Sequence, residues 1–128
     1  MLRKIVLCCL AANAVFLNAV YAADAALFAM GCFWTAQSDF MQEDTAKLVS
    51  GILSSTVGYA GGTMPDPTYE NHADYKEAVK LSYDPKVISY DQLLDIFWHN
   101  IDPFDASGQF CDHGFSYTTT IYYSDQQQ

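Results

Sequence analysis

Ala25-Ala-Leu-Phe-Ala-Met-Gly-Cys-Phe-Trp34 is the stretch on which the fold turns. The run from Ala25 to Met30 is short and apolar, as a buried strand should be, and Gly31 breaks it. Beyond the break, Phe33, Ala36, Phe40 and Met41 recur at near-helical spacing with Thr35, Gln37, Ser38 and Asp39 between them. That spacing predicts a helix starting at Cys32 or one residue later. A thiol in the first helical turn faces unpaired backbone N–H groups and the positive end of the helix dipole, which favour thiolate over thiol. Two readings of Cys32 stand side by side at this point. It is a reactive nucleophile, or it is a small buried hydrophobe, since free cysteine is among the most buried residue types.

Upstream of this stretch, Met1-Leu-Arg-Lys4 is positive, Ile5 to Phe16 is largely apolar, and Val20-Tyr-Ala22 places small residues where a signal peptidase reads. Residues 1–22 are therefore expected to be a secretory signal cleaved after Ala22. Asn13 and Asn18 interrupt the apolar run and leave it short for a bilayer span. The domain proper is then 23–128, about 106 residues, enough for one core. Its location is exported, periplasmic or secreted. Cleavage also removes Cys8 and Cys9, leaving Cys32 and Cys111 as a structural disulfide, two reactive thiols or a redox pair. Beyond residue 22 there are four basic and fifteen acidic residues, a net charge of −11. Such a surface repels nucleic acid and anionic lipid, so neither is an expected partner, and membrane contact is expected only through the uncleaved signal.

Downstream, Leu48 to Tyr59 reads as a strand running into a turn at Gly58-Tyr-Ala-Gly-Gly62, followed by a proline-rich loop through Pro67. From Glu77 to Tyr83, Val79, Leu81 and Tyr83 alternate with Ala78, Lys80 and Ser82. This is the pattern of a half-buried strand. Glu77 shares the parity of the apolar set, so period-two geometry turns its carboxylate toward the core. A buried carboxyl keeps its proton toward neutrality, as a general acid must; the other reading leaves Glu77 in solvent at a frayed strand end. Ser89 and Gln92 have the spacing of a capping box. It opens a helix whose apolar face is Tyr90, Leu93, Leu94, Phe97 and Trp98, with Trp98 and His99 in structural roles. After an irregular stretch from Ile101 to Gly114, Tyr117 to Tyr123 alternates as a strand. The order strand, helix, strand, loop, strand, helix, loop, strand predicts an α+β fold with helices on a mixed or antiparallel sheet. Cys32, His72, His99, Cys111 and His113 lack the paired spacing of zinc ligands, so no metal is expected.

Seven motifs in order now point to one family. Gly31-Cys-Phe-Trp34, Gly58-Tyr-Ala-Gly-Gly62, Pro67-Thr-Tyr69, Glu77-Ala-Val79, Tyr83-Asp-Pro85, Ile88-Ser-Tyr90 and Gly108-Gln-Phe-Cys-Asp112 with Gly114 and Tyr117 resemble peptide methionine sulfoxide reductase A over roughly residues 26 to 123. The resemblance implies a thiol-dependent reductase of the S epimer of methionine sulfoxide, free or in oxidised proteins. Cys32 matches the nucleophile, which becomes a sulfenic acid. Glu77 matches the acid that protonates the sulfoxide oxygen. Tyr69 and Tyr117 match phenols that hydrogen-bond to that oxygen, and Asp112 matches a carboxylate lining the site. Phe33 and Trp34 match the aromatic pocket for the substrate methyl group. No bound cofactor is implied, and reducing equivalents come from a thioredoxin-like protein or another dithiol. The expected fold is a two-layer sandwich with a ferredoxin-like plait at its core.

The chain departs from the family pattern at Gln37, where a carboxylate is usual, at Tyr75-Lys76 in place of Gly-His, and at Thr118-Thr119 in place of arginine and serine. Many members also continue past the equivalent of Gln128 and carry recycling cysteines there, so a catalytic domain truncated at its C-terminus is one reading. In this sequence the sulfenic acid is then resolved by Cys111, by an external thiol, or not at all. Two rival readings are a different thiol redox enzyme that uses Cys32 without the sulfoxide pocket, and a secreted, truncated domain without turnover.

Overall fold

The computed structural model describes residues 22–42, 47–72 and 74–128; all but the last residue of the expected signal lies outside them. Four strands form one sheet: β1 (Asp24–Ala29), β2 (Ile52–Ala60), β3 (Lys76–Tyr83) and β6 (Thr120–Tyr122), in the order β2-β3-β1-β6. Every pairing is antiparallel, so of the two sheet types expected the antiparallel one is found. Helix α1 (Phe33–Asp39) connects β1 to β2, and α2 (Tyr90–His99) follows β3. Between α2 and β6 lie a small hairpin of β4 (Gly108–Gln109) and β5 (Asp112–His113) and a 3₁₀ turn, Phe115–Tyr117. The fold class is α+β.

Both helices lie on one face of the sheet because Phe28, next to the last residue of β1, meets both. Its ring is 5.9 Å from Phe40 at the end of α1 and 5.5 Å from Phe97 in α2. Ala26, Val79, Leu81, Tyr83, Ala36 and Leu93 complete this core. The opposite parity, Leu27, Thr56, Gly58, Ala78 and Lys80, lines an open groove of about 260 Å³. Helix α2 begins as its sequence predicts: Ser89 Oγ accepts from the Gln92 N–H at 3.2 Å, and Gln92 Oε1 accepts from the Ser89 N–H at 2.9 Å. These bonds satisfy two backbone donors that would otherwise be unpaired at a helix start.

Three expectations need correction. The turn assigned to residues 58–62 begins later, because Gly58, Tyr59 and Ala60 stay in β2 and pair with Ala78, Glu77 and Lys76. The strand expected from Tyr117 to Tyr123 spans only Thr120–Tyr122, and Tyr117 sits in the 3₁₀ turn. The Ser116 hydroxyl donates to the Tyr75 carbonyl oxygen at 3.0 Å and the Tyr117 N–H to the Gly114 carbonyl at 3.0 Å, so the chain coils there instead of extending. Trp98 is 52% exposed and is not a core residue. On a helix, Leu93 and Phe97 fall four residues apart on the buried stripe, and Trp98 is turned off it, edge-on to Phe97 at 5.2 Å.

Because Phe28 joins both helices to the sheet, Phe28→Ala is expected to lower unfolding free energy by about 3–5 kcal/mol. The exposed Leu53, changed to alanine, should alter it by no more than about 0.5 kcal/mol. Urea unfolding followed by tryptophan fluorescence measures both; equal losses would contradict this account of the core.

Candidate active site

The strand-to-helix junction read from the sequence is present, and it is where the chemistry-bearing side chains converge. Gly31 has φ +94°, a conformation that favours glycine, and a Cβ there would come within 2.8 Å of Gln109 Cβ. The chain therefore turns tightly over Gln109 and enters α1 with Cys32 as its N-cap residue, a free, partly exposed thiol. The first helical N–H, that of Phe33, does not face the cysteine sulfur alone in water. It donates to Glu77 Oε2 at 2.9 Å in a buried bond spanning 44 residues.

Glu77 is only 1% exposed, so the core-facing reading holds and the frayed-end reading does not. Its place follows from β3: Glu77, Val79, Leu81 and Tyr83 share the buried parity. The second carboxyl oxygen, Oε1, is buried with no hydrogen-bond partner among the described residues. Buried polar atoms are almost always paired, so an unpaired one beside a cysteine is where the polar group of a ligand would complete the bonding.

Aromatic rings form the outer wall. Phe33 is buried, while Trp34 and Tyr69 are 57% and 52% exposed. Phe33 lies 5.1 Å from Trp34 and 6.3 Å from Tyr69, and Trp34 stacks on Tyr69 at 5.5 Å. Behind them, Tyr59 packs 5.7 Å from Phe33 and stacks on His72 at 4.8 Å. The loop carrying Tyr69 is pinned at several points. Asp74 Oδ2 accepts from the Thr63 N–H at 2.9 Å, the Tyr75 hydroxyl donates to the Met64 carbonyl at 2.9 Å, and His72 Nδ1 lies 3.0 Å from the Tyr69 carbonyl.

Tyr117 and Asp112 arrive from the far side. The hydroxyl of Tyr117 is pushed above the ordinary tyrosine range, first by burial and then by the negative charges of Glu77, Tyr69, Asp112 and Cys32. At neutral pH the phenol therefore remains a donor. Burial and Glu77 raise Tyr59 in the same way. Cys111 is exposed, in the two-residue tip between β4 and β5.

Sequence reading passed over three supporting residues. Gln109 is buried; its Oε1 accepts from the Asp102 N–H at 2.6 Å, and its Nε2 donates to the Asp102 and Gly108 carbonyls at 2.9 and 2.7 Å. It supports the hairpin under Gly31, and its presence inside the Gly108–Asp112 motif was the available signal. Tyr59 and His72 form the back of the aromatic wall, contacts that no local pattern encodes. At Gln37, where the resemblance leads one to expect a carboxylate, the amide donates to the Ser55 carbonyl and hydroxyl oxygens at 3.2 and 3.3 Å, ties a carboxylate could not make to that carbonyl. Among the described residues no cluster of three or more His, Cys, Asp or Glu side chains is placed to hold a metal ion.

A family model described as peptide methionine sulfoxide reductase matches residues 24–128. Peptide methionine sulfoxide reductase MsrA 2 of Rhizobium meliloti (strain 1021) is 43% identical over 105 residues, which cover 80% of this chain and 50% of the relative. Peptide methionine sulfoxide reductase MsrA of Shigella boydii serotype 18 is 46% identical over 101 residues, 76% of this chain and 45% of that one. Among solved structures, methionine sulfoxide reductase A of Corynebacterium diphtheriae aligns with a TM-score of 0.72 at 28% identity, over 82% of this chain and 49% of the other. Reduced Mxr1 from Saccharomyces cerevisiae aligns with a TM-score of 0.72 at 25% identity, over 82% and 61%. The chain spans about half the length of the curated relatives it matches.

The convergence on Tyr117 has a direct signature. In a pH titration of ring-labelled tyrosines by NMR, Tyr117 is expected to ionise above an ordinary tyrosine, and Glu77→Gln should lower its pKa by removing a nearby negative charge. A Tyr117 that titrates normally, or that ignores Glu77→Gln, would place the two groups too far apart to share a substrate atom.

Proposed function

The chain belongs to the peptide methionine sulfoxide reductase family, and from that membership we propose that it reduces the S epimer of methionine sulfoxide, free or within proteins, to methionine. The observation that carries the proposal is the carboxyl of Glu77, buried beside Cys32's helix with one oxygen on the Phe33 N–H and the other unpaired. A sulfoxide is a poor electrophile until its oxygen is protonated. Glu77 supplies that proton from Oε1, and the Tyr69 and Tyr117 hydroxyls donate hydrogen bonds to the same oxygen. The substrate methyl group lies against Phe33 and Trp34, whose faces suit an S-methyl. Asp112 lines the opposite side.

Cys32 Sγ attacks the substrate sulfur. The oxygen passes to the cysteine as a sulfenic acid, and methionine leaves as a thioether: the substrate sulfur gains two electrons and the cysteine loses two. Return to the thiol needs two further electrons. In this proposal Cys111 condenses with the sulfenic acid, releasing water and forming a Cys32–Cys111 disulfide, which a thioredoxin-like dithiol then reduces. The exposed hairpin tip carrying Cys111, next to Asp112, supports this route. The sheet order β2-β3-β1-β6 supports reading the fold as a ferredoxin-like plait. Residues 1–22 support an exported location, where the enzyme would repair oxidised exported proteins.

A single-turnover assay tests the reaction. Fully reduced protein mixed with a methionine S-sulfoxide peptide is expected to form one methionine per chain and to lose both Cys32 and Cys111 thiols. Cys32→Ser should form none, and Glu77→Gln should slow formation by roughly 10²–10⁴-fold, the usual contribution of a general acid. Cys111→Ser should still form one methionine but lose one thiol. Methionine formation that survives Cys32→Ser would overturn the mechanism; loss of one thiol in the unsubstituted protein would leave an external thiol as the resolving group.

A further inference from the structure

Two residues of β3 and its entry reach across to the turn that presents Tyr117. The Ser116 hydroxyl donates to the Tyr75 carbonyl at 3.0 Å. The half-buried Lys76 ammonium donates to Thr118 Oγ1 and to the Thr118 carbonyl, the latter at 3.4 Å, and lies over the Phe115 ring at 4.4 Å from its centroid. The donor count is consistent. Thr118 Oγ1 gives its own proton to the Phe115 carbonyl at 2.8 Å, so its lone pairs are free to accept from the lysine. Phe115, Ser116 and Thr118 bracket Tyr117 on both sides, and Tyr75 and Lys76 immediately precede Glu77. The same few atoms therefore fix two of the three groups proposed to meet the sulfoxide oxygen, Glu77 and Tyr117.

We propose that Lys76 is a positioning residue, a clamp that locks the 3₁₀ turn to the start of β3 and so sets the Tyr117 hydroxyl against Glu77. This deepens the reductase reading and rests on it. Burial lowers the Lys76 ammonium below the ordinary lysine range, and the Phe115 ring face and the Thr118 oxygens are the partners it keeps. A methionine at this position keeps the aliphatic stem and removes every donor. The turn then loses the Lys76 hydrogen bonds, keeping the Ser116 bond to Tyr75, and Tyr117 is held less firmly. Misplacement of a reacting group by about 1 Å is enough to slow an enzyme by up to roughly 10²-fold.

The test combines a double-mutant cycle with hydrogen exchange. Lys76→Met is expected to slow single-turnover methionine formation about tenfold in the otherwise unsubstituted protein and less than about twofold in a Tyr117→Phe background, because the effect passes through that hydroxyl. The Tyr117 and Thr118 amides should exchange at least about tenfold faster in Lys76→Met, while Val79 and Leu81 in the middle of β3 do not change. Thr118→Val removes the hydroxyl acceptor and keeps the lysine and the Thr118 carbonyl. It should raise the same two exchange rates and carries the test if Lys76→Met does not fold. Equal slowing in both backgrounds, or unchanged Tyr117 and Thr118 exchange, would overturn the clamp. Should the unsubstituted protein form no methionine, the reductase reading fails, and the exchange rates alone decide whether the clamp exists.

Discussion

A hydrogen bond of 2.9 Å from the Phe33 N–H to Glu77 Oε2 joins the start of a helix to the edge of the core, across 44 residues. Its importance lies in what it does to each partner. Glu77 is drawn into a buried position that a carboxylate would not occupy without a donor. Phe33 satisfies one of the backbone donors that a helix start leaves unpaired, and α1 has no side-chain cap to do it. Cys32, one residue upstream, is thereby held at a fixed distance from the carboxyl. The Cys32 thiol and the Glu77 carboxyl are both set by backbone geometry at the strand-to-helix junction.

Around that fixed pair, the remaining groups come from irregular chain that the structure pins separately. Asp74, Tyr75 and His72 hold the loop bearing Tyr69. Gln109 holds the hairpin beneath Gly31, and its three bonds leave none of its amide atoms unsatisfied. The resulting site is an open face rather than an enclosed cavity, with Trp34 and Tyr69 more than half exposed.

Much of this was legible in the sequence where local periodicity carries the information. The apolar run before Gly31, the near-helical spacing after it, the parity of Glu77 with Val79, Leu81 and Tyr83, and the Ser89–Gln92 capping box all correspond to elements found. The roles assigned to Cys32, Glu77, Tyr69, Tyr117 and Asp112 came from the family resemblance, since no periodicity distinguishes one tyrosine from another. What local pattern could not convey rests on long-range contacts. Tyr117 alternates with its neighbours as a strand residue would, yet Ser116 and Lys76 bonds to partners 41 and 42 residues away hold it in a turn. The β4–β5 hairpin has strands of two residues, too short for any period to register. Trp98 was misread because an apolar helical face says which residues are adjacent but not where the buried stripe ends.

Oxygen transfer to Cys32 is the step on which the proposed reaction rests. The most direct measurement is mass spectrometry of the reduced Cys111→Ser protein, which cannot close the proposed disulfide, after one equivalent of methionine S-sulfoxide, in the presence of a cyclic dione that captures sulfenic acids, with the R epimer as control. The account predicts one adduct, on Cys32, from the S epimer alone, formed together with one methionine. A folded protein that yields neither adduct nor methionine, or that is oxidised equally by both epimers, would contradict it.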